Sequence, residues 1–223
     1  MMWTQFEQTS QKFAFSAFRQ ESTKEEHIKN PIATITMENG AEIVVELMPE
    51  LAPNTVNSFI YLAGHGAFDN YKIARVEPGF VVDVSTNAYD REICRYLIEN
   101  EAGKIDAGKR LSPELGVIGM GGYENGISGG EFFFPLEHAP RLDGNYPMFG
   151  KIIKGVEEIA RIGSGPVEEF AFNTSAKPLH KPVNKEVIAS VKVDTNGLHY
   201  PEPVRLDTEL PAHWLMEDYS KKI

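Results

Sequence analysis

The chain has a single cysteine, Cys94. No internal disulfide can brace it, and one thiol without His or Cys neighbours at ligand spacing cannot build a structural zinc site. It has no apolar run near the roughly 20 residues that cross a bilayer as a helix, and residues 1–29 are polar where a signal peptide would be apolar. Basic residues are outnumbered: 22 Lys and Arg stand against 32 Asp and Glu, a formal charge of -10. That balance repels phosphate backbones and anionic lipid. There is no Gly-Lys-Ser/Thr phosphate loop, and Gly119-Met120-Gly121-Gly122 lacks the strand-loop-helix setting and downstream acid of a dinucleotide site. The six histidines, at 27, 65, 138, 180, 199 and 213, are scattered away from Asp, Glu or Cys at ligand spacing. These absences set the expectations: no metal, no cofactor, no nucleic-acid or membrane partner, an inert Cys94 and a cytoplasmic address.

What is present is an ordinary globular composition, with 42% hydrophobic and 24% charged residues over 223 positions, enough for one substantial core with extensions. Residues 32–37 and 42–47 alternate as two strands around Asn39-Gly40, which supplies the positive φ of a tight turn. Pro53-Asn54-Thr55 opens a helix with apolar residues at helical spacing, stopping near Gly64 and Gly66. Short apolar runs at 73–76, 80–84, 116–120, 132–136 and 148–152 read as strands. Residues 156–162 read as a second helix, and 186–194 as one more strand. Many short strands with two helices predict a mainly β fold, an antiparallel sheet closed into an eight-stranded barrel with the helices capping its ends. Residues 1–30, with Phe6, Phe13, Phe15 and Phe18, read as an N-terminal extension, 31–195 as the barrel domain, and 196–223 as a C-terminal strap around Tyr200-Pro201-Glu202-Pro203.

No Ser, Cys or Thr comes with a recognisable base and orienting acid, so covalent catalysis has no support. Two segments stand out instead: Arg75-Val76-Glu77-Pro78-Gly79-Phe80, and the aromatic cluster Gly130-Glu131-Phe132-Phe133-Phe134. Taken alone, Arg75 reads as a surface charge and Phe133 as plain core. In a strand, Phe132 and Phe134 face away from Phe133.

These segments are similar to those of the cyclophilins. Val44-Val45-Glu46-Leu47 through Ala52-Pro53-Asn54-Thr55-Val56-Asn57-Ser58-Phe59 resembles that family's opening strand and helix, and Arg75 to Phe80 its catalytic strand pair. Gly116-Val117-Ile118-Gly119-Met120, Glu131-Phe132-Phe133, Leu142-Asp143-Gly144-Asn145-Tyr146 and Phe149-Gly150-Lys151-Ile152 follow in the family's order. The resemblance implies a peptidyl-prolyl cis-trans isomerase assisting folding, with Arg75 as catalytic donor. It implies a peptide groove of Phe80, Val81, Gly121, Gly122, Glu131, Phe133, Arg141, Leu142 and Tyr146, and proline-containing client segments as partners. The chemistry needs no nucleophile: an X-Pro amide turns over a resonance barrier of about 18 to 20 kcal/mol, and a guanidinium bonded to the prolyl nitrogen favours the twisted state.

The match has departures. Glu131 stands in place of the family's glutamine, where it would either pair with Arg75 or satisfy it at the substrate's expense. Gly121 and Gly122 replace an Ala-Asn pair, Arg141 a tryptophan, Tyr146 a histidine, Val81 a methionine and Asp83 a glutamine. Fewer groups then grip the peptide, and cyclosporin-like macrocycles are expected to bind weakly or not at all. The alternative reading is a catalytically weak, proline-peptide binding module on the same fold.

Overall fold

The computed structural model describes residues 29–84, 91–171 and 177–215; the N-terminal segment with Phe6, Phe13, Phe15 and Phe18 lies outside them. The chain opens with the hairpin β1 (Ile32–Met37) and β2 (Glu42–Leu47). Ala33, Ile35 and Met37 on one strand and Ile43, Val45 and Leu47 on the other point inward, as strict alternation requires. Gly40 takes up the turn at φ +87°.

Helix α1 (Pro53–Gly64) buries Val56, Phe59 and Leu62, spaced to share one face. Phe59 sits at the centre of an aromatic cluster, 5.3 Å from Phe68, 5.4 Å from Phe132 and 5.5 Å from Phe149 between ring centroids. The helix has no cap of its own, because Ala52 offers no side-chain acceptor. Its otherwise unpaired first-turn N–H groups are met by a distant carboxylate instead: Asn54 N–H donates to Glu101 Oε1 at 3.0 Å, and Thr55 donates to Oε2 from both backbone (2.8 Å) and hydroxyl (2.7 Å).

The strands that follow are β3 (Tyr71–Lys72), β4 (Arg75–Glu77), β5 (Val81–Asp83), β6 (Leu97–Ile98), β7 (Val117–Tyr123), β8 (Gly126–Pro135) and β9 (Met148–Lys154). Helix α2 (Val156–Gly163) comes next, then β10 (Val167–Phe170), β11 (Leu179–Pro182) and β12 (Val187–Asp194). All but β10 and β11 form one antiparallel sheet in the order β3-β12-β1-β2-β9-β7-β8-β5-β4, with β6 also on β8. Helix α1 packs on β8 and β12, and α2 on β2, β4 and β5. The fold is therefore mainly β with two helices.

The expected closed eight-stranded barrel is not what forms. The sheet is an open, curled half-barrel whose edges are β3 and β4. Those edges belong to one stretch of chain, residues 71–77, which gives its first two residues to β12 and its last three to β5. Among the described residues no ladder joins β3 to β4, so the seam is not closed.

Strand β8 is also longer than its apolar run predicts, starting at Gly126 rather than at Phe132. Its glycine-rich first half reads as loop, yet close packing demands it: a Cβ at Gly129 would lie 2.3 Å from the Tyr96 ring. Strands β10 and β11 form a separate two-stranded ribbon that packs beside β4.

Candidate active site

Strand pairing assembles the site. Arg75 pairs across the ladder with Asp83, Asp83 with Phe133, Phe133 with Gly119, and Gly119 with Met148. Directly opposed residues of antiparallel strands share a face. One row across β4, β5, β8, β7 and β9 thus presents a guanidinium, a carboxylate, an aromatic ring, a gap and a thioether side by side. Phe132 and Phe134 turn to the other face and join the main core, while Phe133 does not.

Around that row lies a second apolar cluster, separate from the core under α1. It contains Val81, Val117, Phe133, Ala139, Leu142 and Met148, with Phe80, Leu111 and Tyr146 partly buried against it. Phe133 meets Tyr146 edge-on at 5.9 Å. Gly119 leaves the space that the Phe133 ring fills; a Cβ there would be 2.6 Å from its Cζ. The exposed Arg141 lays its guanidinium over the Phe80 ring, 3.7 Å from the centroid. Phe80, Val81, Phe133, Leu142, Tyr146 and Arg141 are thus neighbours at one place.

Arg75 is anchored at the edge of this cluster. Its Nε donates to Glu77 Oε1 at 3.0 Å and its Nη1 to Asp83 Oδ2 at 2.6 Å, with 23% of the side chain exposed. Burial opposes the charge, but Asp83 and Glu77 outweigh it and hold the guanidinium's pKa above its ordinary value. Burial likewise opposes ionisation of Glu77, yet its bonds to His180 and Arg75 pull its pKa below the usual value. Among the described residues Nη2 of Arg75 makes no hydrogen bond, so its two N–H donors are not taken up within the site.

Glu131 does not pair with Arg75. It is 2% exposed and accepts a 2.8 Å hydrogen bond from the Tyr123 hydroxyl, which itself accepts one from Trp214 Nε1 at 3.2 Å. Burial raises the carboxyl's pKa well above normal; the Tyr123 bond works against this and the charge of Asp83 adds to it. Burial thus favours the protonated acid, which has both a donor and an acceptor, as an amide does. Gly121 lies beside it, at a bulge between Met120 and Gly122, and Gly122 pairs with Ile127. A Cβ at Gly122 would be 2.9 Å from both the Gly126 carbonyl oxygen and Ile127 Cα, so the backbone of β8 itself opposes a larger residue there.

Several site residues escaped the sequence reading. Glu77 was visible two positions after Arg75, where strand periodicity puts both on one face. Met148, Leu111, Tyr123, Trp214 and His180 carry no local signal, because distant segments deliver them. Among the described residues no group of three or more His, Cys, Asp or Glu is arranged to hold a metal ion, and no helix is long and apolar enough to cross a membrane.

Residues 32–193 match the family described as cyclophilin type peptidyl-prolyl cis-trans isomerase/CLD. The chain belongs to that family. Among its relatives, peptidyl-prolyl cis-trans isomerase B of Bacillus subtilis is 33% identical over 132 residues, covering 59% of this chain and 90% of the relative. A peptidyl-prolyl cis-trans isomerase-like 2 of Cryptococcus neoformans is 34% identical over 143 residues, 62% of this chain. The aligned part spans only 24% of that fungal protein's length. A Cryptosporidium parvum cyclophilin, solved in the presence of the dipeptide Ala-Pro, superposes with a TM-score of 0.59 at 22% identity, covering 73% of this chain and 98% of that one. A cyclophilin from Hirschia baltica gives 0.52 at 16% identity, covering 72% and 73% of the two chains.

Proposed function

We propose that this chain is an active peptidyl-prolyl cis-trans isomerase, turning X-Pro bonds in flexible protein segments and so assisting folding. The observation that carries the reading is the cross-strand row, in which the Arg75 guanidinium stands beside the apolar cluster of Phe133. The proline ring would seat against Phe80, Val81, Phe133, Leu142 and Tyr146, while Arg75 donates to the prolyl nitrogen as the amide twists. Glu131 in its protonated form, with Gly121 and Gly122, would bond the peptide backbone. Lowering the barrier by about 7 kcal/mol accelerates rotation on the order of a hundred-thousandfold. The reading takes 31–195 as the catalytic domain and 196–223 as a strap upon it. It takes the protein as cytoplasmic, and expects weak or no cyclosporin binding because Arg141 covers Phe80.

The second reading, a proline-peptide receptor with little turnover, draws support from the same arginine: two carboxylates already engage Arg75. Exchange NMR on a short X-Pro peptide separates the two. Strong acceleration that collapses in Arg75→Ala supports the enzyme; peptide shifts without acceleration by the wild type favour the receptor.

A further inference from the structure

The β10–β11 ribbon lies outside the main sheet, yet it reaches the site. His180, on β11, places Nδ1 2.8 Å from Glu77 Oε2, and its backbone N–H donates to Glu77 Oε1 at 3.3 Å. The same Oε1 accepts from Arg75 Nε at 3.0 Å. One carboxylate therefore joins the imidazole to the guanidinium, over a separation of 103 residues between His180 and Glu77. His180 is partly exposed, with 31% of its side chain accessible.

We propose that His180 is a positioning residue for Arg75, acting through Glu77, so that its protonation sets how firmly the guanidinium is held away from substrate. This rests on Arg75 as the donor to the prolyl amide. The charges facing this contact are Glu77 and Arg75 from β4, Asp83 on β5 bonded to Arg75, and Glu169 on β10, whose Oε1 is 4.0 Å from His180 Nε2. On β11 itself, Lys181 pairs with Glu168 at 3.3 Å. With a neutral imidazole donating Nδ1–H, one guanidinium shares two carboxylates, Glu77 and Asp83. With His180 protonated, Glu77 divides its charge between two cations, and its pull on Arg75 weakens. The freed guanidinium is then the stronger donor to the twisting amide, and isomerisation is faster when His180 is protonated.

The test uses the full chain, with Arg75 Nε–H followed by 15N NMR and kcat/KM measured on an X-Pro peptide from roughly pH 5 to 8. In the wild type the Arg75 resonance shifts as His180 gains its proton, and kcat/KM is about threefold higher at the acid end of that range than at the other. His180→Asn keeps a donor near the Nδ1 position but cannot titrate, so both profiles become flat, whereas a purely structural His180 would leave the wild-type profile unchanged in the variant. An Arg75 resonance indifferent to His180, or a pH step in kcat/KM that persists in His180→Asn, overturns the proposal. Absence of any acceleration by the wild type would overturn the isomerase reading instead, and the resonance alone would then decide whether His180 holds Arg75.

Discussion

Glu101 supplies the most demanding test of how this fold is held. Its buried carboxylate accepts three hydrogen bonds at the start of α1, two from backbone N–H groups of Asn54 and Thr55 and one from the Thr55 hydroxyl. Hydrogen bonds to a charged group contribute about 1.5 to 3 kcal/mol each, but water reaches part of the vacated site in a variant and recovers some of that sum. The Thr55 donors are buried and the Asn54 donor is only partly so. Glu101→Ala should therefore destabilise the protein by about 3 to 5 kcal/mol, near the cost of losing two buried bonds outright with a smaller share from the third. Glu101→Gln keeps the shape but turns an NH2 group toward donors, and should cost about 2 kcal/mol. Glu99→Ala is the control: its partner Lys104 is 2.6 Å away, but both side chains are more than half exposed, so stability should stay within about 0.5 kcal/mol of wild type. Urea unfolding, with a common slope for all variants, measures each value. A Glu101→Ala cost below about 1 kcal/mol would show that α1 does not depend on this remote cap.

Other expectations concern the site and its surroundings. Glu131 takes up a proton on folding at any pH between its unfolded value, near 4.5, and its raised folded one. Keeping it protonated thus costs stability increasingly as pH rises above 4.5, and costs nothing below. Glu131→Gln should raise the melting temperature at pH 7 and lose that advantage near pH 4; a difference independent of pH would refute the neutral acid. Cys94 is fully buried, with its thiol pushed up to about 12 by burial. In the native protein it should react with a disulfide reagent only as fast as the chain opens, so rapid labelling without denaturant would contradict its placement.

The elements with strict periodicity were legible before folding. The β1–β2 hairpin and its Gly40 turn, the proline-opened α1, the outward Phe133 between inward Phe132 and Phe134, and α2 all follow from spacing that a few neighbouring residues set. The glycine-rich half of β8 and the two-residue strands β3 and β6 were not legible, since their pairing is imposed by neighbours such as Tyr96 and β12 rather than by their own side chains.

The same division runs through the site. Local order along the chain determined the family likeness, the presence of Arg75 near Phe80, and the alternation that turns Glu131 and Phe133 to one face. Which partner each charge takes was decided only in three dimensions. Asp83 reaches Arg75 through strand register, Glu131 is drawn instead to Tyr123 and Trp214, and a ribbon from far along the chain brings His180 to Glu77. Electrostatic pairing depends on a few ångströms of separation and on burial, and neither is fixed until the sheet has curled.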